Sequence, residues 1–150
     1  MWLIIWVVVF EVMSGAIGYF ASPRRDPSWY RSLNKSPLNP PGYVFGIVWP
    51  ILYLTLAIFG WSLSSMPQFS DVYQYFWIQM VLNWVWSPVF FGFHNIRLAF
   101  IIQFLLVVLN ALIIYTLWLD GATKLALLIC PYFVWLSFAL YLIAYINVNN

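Results

Sequence analysis

The stretch "LAFIIQFLLVVLNALIIYTLW", residues 98–118, contains no charged side chain. A transmembrane helix needs about 20 mostly apolar residues, because hydrocarbon cannot hydrogen-bond to exposed backbone groups. The apolar residues run continuously instead of alternating with polar ones, which favours a helix over a strand of a barrel. This stretch therefore predicts a membrane-spanning helix.

Four more stretches have the same character, at about residues 2–21, 43–63, 72–93 and 125–146. The composition agrees, since 65% of the residues are hydrophobic and 7% are charged, against about 25% charged in soluble domains. We therefore predict an all-α integral membrane protein, with residues 1–150 forming one domain of five transmembrane helices. The connections are short except for the first, which we expect to cap a ligand pocket.

The distribution of basic residues predicts the orientation in the membrane. Lys124 alone falls on the side of the N-terminus, and five basic residues fall on the opposite side. The rule places the N-terminus outside and the long first loop and the C-terminus in the cytoplasm. The five basic residues are Arg24, Arg25, Arg31, Lys35 and Arg97.

Several classes of function are disfavoured by what the sequence lacks. The net charge of +2 is too small to indicate nucleic-acid binding. One histidine, His94, and one cysteine, Cys130, do not make a recognisable metal site, so no metal or cofactor is expected. No nucleophile has an evident base beside it, and no phosphate-binding loop is present. These absences argue against conventional hydrolysis or phosphoryl transfer.

Polar side chains inside predicted spans are the first candidates for function, because burying them in lipid is costly. Gln79, Asn83 and Ser87 recur every four residues and form one stripe on the third span, next to aromatic residues. Gln103 and Asn110 share a face of the fourth span. Either set could form hydrogen bonds between helices, and Asn83 could equally contact a ligand.

Glu11 is the one acidic residue deep within a predicted span. It could be a proton or cation site, or a carboxyl group buried between helices. Ser14, Gly15 and Gly18 follow it on a face of small residues, where we expect another helix to approach closely.

Aromatic residues make up 22% of the chain. Trp135, Phe138 and Leu142 share a stripe of the fifth span, which could serve packing, an interfacial belt or a pocket wall. Aromatic walls with a few polar groups suit flat apolar ligands, and the first loop adds Trp29 and Tyr30. The sequence thus supports a lipophilic small molecule as ligand, within a lipid bilayer.

Three blocks of the sequence resemble the signature blocks of the translocator protein family, also called the tryptophan-rich sensory protein or peripheral-type benzodiazepine receptor family. The resemblance extends over essentially the whole chain, with the blocks in the same order and spacing. They are "WYRSLNKSPLNPPGYVFGIVWPILY" (29–53), "LNWVWSPVFFG" (82–92) and "PYFVWLSFAL" (131–140).

The resemblance implies a five-helix bundle, often a homodimer, that binds porphyrins and other tetrapyrroles beneath the first loop. In bacterial relatives, the tryptophans that match Trp49 and Trp135 are implicated in light-dependent breakdown of protoporphyrin, so these two would be the catalytic residues of such a reaction. Motif matching assigns ligand contacts to Trp29, Tyr30, Trp49, Asn83, Trp86, Trp135 and Phe138.

Three departures from the family pattern bear on the ligand. The sterol-recognition pattern of the animal branch is incomplete, because no basic residue follows Leu142 and Tyr145, which argues against a sterol. Ser36 and Leu38 stand in the loop where many relatives differ, and we expect them to change the lid surface. Ile143 replaces an Asn found in many relatives.

Three functions remain open from the sequence. The first is a receptor or carrier for tetrapyrroles such as protoporphyrin IX, and the second is an enzyme-like, light- and oxygen-dependent porphyrin degradation in the same pocket. The third is a small proton-coupled exporter that uses Glu11. The long lid loop and the fifth helix argue against the third.

Overall fold

The computed structural model describes residues 2–150, and within that range the regular elements are all helical. Helix α2 lies in the long first connection, and the other five helices are long. A 3₁₀ turn at Pro67–Phe69 precedes α4, and a π-helical turn at Pro88–Gly92 continues it. The helices are α1 (Trp2–Phe20), α2 (Pro27–Ser32), α3 (Gly42–Ser64), α4 (Ser70–Ser87), α5 (Ile96–Leu119) and α6 (Thr123–Asn149).

The five long helices form a ring in the order α1, α3, α6, α5, α4. Because the connections after α3, α4 and α5 are short, consecutive helices run antiparallel, and α5 lies beside both α4 and α6. The first connection and the end of α6 therefore lie at one end of the bundle, which we call the lid end. The lid, residues 21–41, covers this end.

The predicted fold class, a helical membrane protein, is confirmed. Helices α1, α3, α5 and α6 are long and apolar enough to cross a membrane. Helix α4 coincides with the third predicted span but carries Gln79 and Asn83 in its buried face, so its assignment as a fifth span stays a prediction. The predicted domain, 1–150, includes Met1, which lies outside the described residues.

Local sequence signals explain several helix ends. Pro41 precedes the first residue of α3, and its carbonyl accepts a hydrogen bond from the Val44 amide at 3.0 Å. Asn95 caps α5, with its side-chain oxygen accepting from the Leu98 amide at 3.0 Å. Gly121, between α5 and α6, has a φ of 73°, a conformation that glycine adopts without steric cost.

The lid contains a helix that we did not predict. Helix α2 begins at Pro27, a residue well suited to the first helical position, and Asp26 caps it by accepting a hydrogen bond from the Trp29 amide at 3.0 Å. A helix of six residues is too short to show an apolar periodicity in the sequence.

The end of the bundle opposite the lid is filled by aromatic rings. Phe76 is fully buried and packs against Phe10 (ring centroids 6.1 Å apart), Phe59 (5.7 Å) and Trp77 (5.6 Å). Gly60 of α3 lies directly beneath these rings, since a Cβ atom there would come within 2.6 Å of Phe76. The absence of a side chain at Gly60 lets α3 approach the cluster.

Candidate ligand-binding cavity

A cavity of about 710 Å³ lies inside the helix ring at the lid end. All five long helices contribute to its walls, and the lid contributes its roof. The volume is within the range of about 300–1,000 Å³ that is typical of sites for small organic ligands. Its aromatic lining consists of Tyr19, Tyr30, Phe45, Trp49, Tyr53, Trp86, Phe90, Phe91 and Trp135.

Of the seven side chains assigned to ligand contact from the sequence, Tyr30, Trp49, Asn83, Trp86 and Trp135 line this cavity. Trp29 and Phe138 are not among the lining residues. The Trp29 ring lies on the imidazole of His94, and the Phe138 ring packs beside Trp135 with centroids 5.8 Å apart. The five lining residues come from the lid, α3, α4 and α6, so the fold brings together positions far apart in sequence.

Three aromatic lining residues of α3 form one stripe. Phe45, Trp49 and Tyr53 are spaced four residues apart, which places them on one helix face. The Trp49 and Tyr53 rings are 5.6 Å apart, and Phe45 makes an edge contact with Trp135 of α6 at 5.6 Å. The sequence analysis overlooked Phe45 and Tyr53, although their spacing around Trp49 is a signal that could have identified them.

Asn83 joins three helices at the cavity wall. The Tyr53 hydroxyl of α3 donates to Asn83 Oδ1, and Asn83 Nδ2 donates to the Tyr132 hydroxyl of α6 at 2.9 Å. Both ends of the amide are therefore engaged within the protein. This geometry supports the role in hydrogen bonding between helices that was one of the two readings of Asn83.

The other buried amides also connect helices. Gln103 Nε2 of α5 donates to the Leu136 carbonyl of α6 at 2.9 Å, and Asn110 Nδ2 donates to Gln79 Oε1 of α4 at 3.2 Å. The interpretation of Gln103 and Asn110 as hydrogen-bonding residues between helices is confirmed. Gln103 additionally lines the cavity, and one of the two N–H donors of its amide is used by the Leu136 carbonyl.

The lid is held to α6 at two places. Ser36 Oγ and the Tyr141 hydroxyl are 2.9 Å apart, and Ser36 is 5% exposed. Asn34 donates from its backbone amide to Asn150 Oδ1 at 2.9 Å and from its side chain to the Asn149 carbonyl at 3.0 Å. The expectation that Ser36 changes the lid surface is wrong, because its hydroxyl is buried against α6. Leu38 is on the surface, with 65% exposure.

Lys35 stabilises the lid from within. Its Nζ donates to the Tyr30 carbonyl at 2.6 Å and to the Leu33 carbonyl at 3.0 Å, and lies 4.6 Å from the centre of the Tyr30 ring. Desolvation lowers the pKa of the Lys35 ammonium, and burial raises the pKa of the Tyr30 hydroxyl. This lysine therefore orders the lid and is not free to meet a ligand.

The positive charge at the cavity comes from one of the four basic lid residues. Arg24 lines the cavity. Arg25 turns back to α1, where its Nη1 donates to the Phe20 carbonyl at 3.1 Å, and Arg31 is exposed. An arginine at the cavity rim provides a fixed positive charge for carboxylate groups.

Helix α1 contributes small residues to the cavity wall, beside the larger Ile17 and Tyr19. Ser14, Gly15 and Gly18 line it, whereas Glu11 does not. The expectation of a close helix approach at this small-residue face is wrong, because a Cβ atom at Gly15 or Gly18 would meet nothing within 4 Å. The face borders the cavity instead of another helix.

The chain matches one protein family over nearly its whole length. The family model described as the TspO/MBR family matches residues 5–148. Similar proteins include Protein CrtK of Rhodobacter capsulatus, 29% identical over 84% of this chain and 79% of that protein. They also include the tryptophan-rich protein TspO of Archaeoglobus fulgidus, 31% identical over 83% of this chain and 82% of that protein.

The translocator protein of Homo sapiens is 31% identical over 73% of this chain and 68% of its own length. The match of the family model begins within the first helix and ends within the last. It therefore includes every element that builds the cavity. The resemblance seen in the three sequence blocks is thereby confirmed, and the chain belongs to the TspO/MBR family of membrane proteins.

Proposed function

We propose that this protein binds tetrapyrroles such as protoporphyrin IX in the cavity beneath the lid and acts as their membrane receptor or carrier. The observation that carries the proposal is an aromatic cavity that opens beside an arginine. A tetrapyrrole pairs a flat conjugated ring with peripheral carboxylates, and the cavity provides a group for each of these features.

The aromatic walls account for affinity to the ring. Trp49 and Trp135 stand on neighbouring helices, α3 and α6, and both face the cavity. Burial of a flat apolar ring against such side chains is favourable through the removal of apolar surface from water and through ring stacking.

Arg24 accounts for selectivity towards acidic tetrapyrroles. It lines the rim of the cavity at the lid end, where the carboxylates of a ligand could remain near water while the ring is buried. Because the other basic lid residues are engaged or point outward, Arg24 is the basic residue that we expect to contact the ligand.

Titration of the purified protein with protoporphyrin IX in the dark, followed by tryptophan quenching, tests the proposal. Trp49→Leu should weaken binding roughly fivefold through loss of one aromatic contact. Trp118→Phe is the matched control, because Trp118 lies outside the cavity and is 58% exposed. Absence of saturable binding to a folded wild-type protein would exclude the proposal.

The dimethyl ester of protoporphyrin IX, which has no free carboxylates, distinguishes the contribution of Arg24 from that of the aromatic walls. Arg24→Gln should weaken binding of the diacid about threefold, the size expected of a partly exposed charge pair, and leave binding of the ester unchanged. Equal losses for both ligands would show that Arg24 does not contact the carboxylates.

Light-dependent degradation of the same ligand is a second candidate, favoured by the presence of both Trp49 and Trp135 at the cavity. In air under illumination, it predicts bleaching of bound protoporphyrin that is lost in Trp135→Phe while dark binding persists. Stable spectra under illumination would leave the receptor or carrier role alone. The exporter hypothesis gains no support, since Glu11 is not among the cavity-lining residues.

A further inference from the structure

The one histidine of the chain lies where the lid meets the bundle. His94 connects the π-helical turn to α5 and has a φ of 53°, a left-handed conformation in which histidine, asparagine and aspartate are enriched among non-glycine residues. Its imidazole lies flat on the indole of Trp29 in α2, with ring centroids 4.0 Å apart and planes inclined by 15°.

The same imidazole faces the carboxylate that starts α2. His94 Nε2 is 3.9 Å from Asp26 Oδ2. Asp26 Oδ1 is already engaged, because it accepts from the Trp29 amide at 3.0 Å and from the Ser28 hydroxyl at 2.5 Å. His94 therefore contacts α2 through both its N-terminal cap and an aromatic ring, and these two contacts join the lid to the α4–α5 connection.

Apart from Asp26, the charged side chains near this contact are basic. Arg97, in the first turn of α5, lines a polar cleft of about 370 Å³ together with His94, Asn147 and Asn150. Arg24 and Arg25 precede Asp26 in the lid, and Arg25 is turned towards α1. Within residues 2–150, Asp26 is the acidic side chain within 4 Å of the imidazole, so a proton on His94 has a specific acidic partner.

We propose that His94 is a pH-dependent latch of the lid, in which the imidazolium pairs with Asp26 and stacks on Trp29 and so holds α2 closed over the cavity. Its consequence for ligand release rests on the proposed tetrapyrrole binding. Loss of the proton weakens both contacts together, since a neutral imidazole has neither the ion pair nor the cation–π attraction. The lid thus opens more readily as the pH rises.

The expected size follows from the exposure of the two partners. The side chains of His94 and Asp26 are 36% and 40% exposed, so solvent screens the ion pair. An exposed ion pair and an exposed cation–π contact together should slow lid opening about fivefold. Histidine changes charge between pH 5 and pH 8, which sets the two test conditions at about pH 5.5 and pH 8.

Hydrogen exchange of the lid amides tests the latch without any ligand. Relative to His94→Asn at the same pH, wild-type residues 28–33 should exchange about fivefold more slowly at the lower pH. The difference should be much smaller at the higher pH, where only the stacking of the neutral ring on Trp29 remains. Asn is the matched replacement, because it tolerates the left-handed backbone and does not titrate. His94→Arg, a permanent cation that can stack and pair, should protect these amides at both pH values.

The substitution Asp26→Asn distinguishes the ion pair with His94 from the N-terminal capping of α2. Asparagine caps helices as well as aspartate does, so α2 should persist while most of the pH-dependent protection disappears. Equal exchange of the wild type and His94→Asn at both pH values would overturn the latch.

Release of protoporphyrin IX into an excess of a porphyrin-binding scavenger protein is the second measurement. Wild type should release the ligand about fivefold more slowly at the lower pH than His94→Asn does, and His94→Arg should release slowly at both pH values. Comparison at one pH removes the titration of the ligand itself. If protoporphyrin does not bind, the proposed function fails, and the exchange measurement still decides the latch.

Discussion

The two ends of helix α3 are packed differently, because one end meets closely packed rings and the other borders the cavity. Near its C-terminal end, Gly60 lies against the rings of Phe76 and Trp6, and a Cβ atom there would come within 2.6 Å and 2.7 Å of them. Near its N-terminal end, Gly46 lines the cavity, and a Cβ atom would meet nothing within 4 Å. The same residue type therefore allows close packing at one end and borders open space at the other.

This difference shows how the bundle combines stability with a ligand site. Phe10, Phe59 and Phe76, each at most 1% exposed, fill the end opposite the lid. At the lid end, hydrogen bonds and the lid hold the helices around the cavity. We infer that substitutions at the aromatic end change mainly stability, whereas those at the lid end change mainly binding.

The largest effect is expected for Phe76→Ala, at the centre of the aromatic cluster. Truncating a fully buried phenylalanine should lower the free energy of unfolding by about 3–5 kcal/mol, because it removes buried contacts and leaves a void. Unfolding in mixed micelles measures the change. Phe104→Ala is the control, since Phe104 is 51% exposed on the outer surface of α5, and a similar loss there would contradict the packing difference.

Alanine substitutions at the two glycines of α3 test the packing difference between its ends directly. Gly60→Ala should destabilise by about 1–3 kcal/mol, because the surrounding rings cannot move away easily. Gly46→Ala should be neutral or stabilise by up to about 1 kcal/mol, since alanine restricts the unfolded chain. The measurement is again the free energy of unfolding, and a reversed order of the two variants would contradict the packing difference between the two ends.

The amide pair between α4 and α5 should show a smaller, non-additive effect. Gln79 Nε2 and Asn110 Oδ1 have no hydrogen-bond partner in the described residues. Asn110→Leu should cost about 1–2 kcal/mol, because it also leaves Gln79 Oε1 unpaired. The double variant Gln79→Met/Asn110→Leu should recover most of the loss, and a double-mutant cycle measures the recovery. Additive losses would contradict this expectation.

The smallest effect is expected for hydrogen exchange of the lid at acidic pH. The Ser28 hydroxyl and then the Trp29 amide lower the pKa of the Asp26 carboxyl, so its capping of α2 is fully present above the ordinary carboxyl pKa of about 3.9. It is lost as the pH falls through the lowered value. Exchange of the Trp29 amide should therefore rise, after correction for intrinsic rates, only in strong acid. Asp26→Asn should remove this dependence, and amides around Phe76 should not follow it.

Much of the fold could be predicted from local sequence. The helices α1, α3, α5 and α6 follow from long apolar runs, and the bounds of the predicted spans at 43–63 and 98–118 differ from Gly42–Ser64 and Ile96–Leu119 by one or two residues. Helix α2 was not predicted, because so short a helix depends on its cap, Asp26, and on Pro27 at its start rather than on periodicity.

The candidate site was predicted in part. Trp49, Trp86 and Trp135 were assigned through their motifs and do line the cavity. Trp29 comes from the same motif as Tyr30 but packs on His94, since neighbouring residues of a short helix point in different directions. The stripe of Phe45, Trp49 and Tyr53 could have been found from helical spacing alone.

The sequence by itself determined that the chain is a helical membrane protein of this family, because apolar run length and motif order are local properties. The packing of the helices, by contrast, determines which small residues approach a neighbour and which border the cavity, as Gly60 and Gly18 show. It also decided how the lid is held, since Ser36 meets Tyr141 across 105 positions of the chain. The physical reason is that such contacts depend on the packing of several helices at once, which no single stretch of sequence specifies.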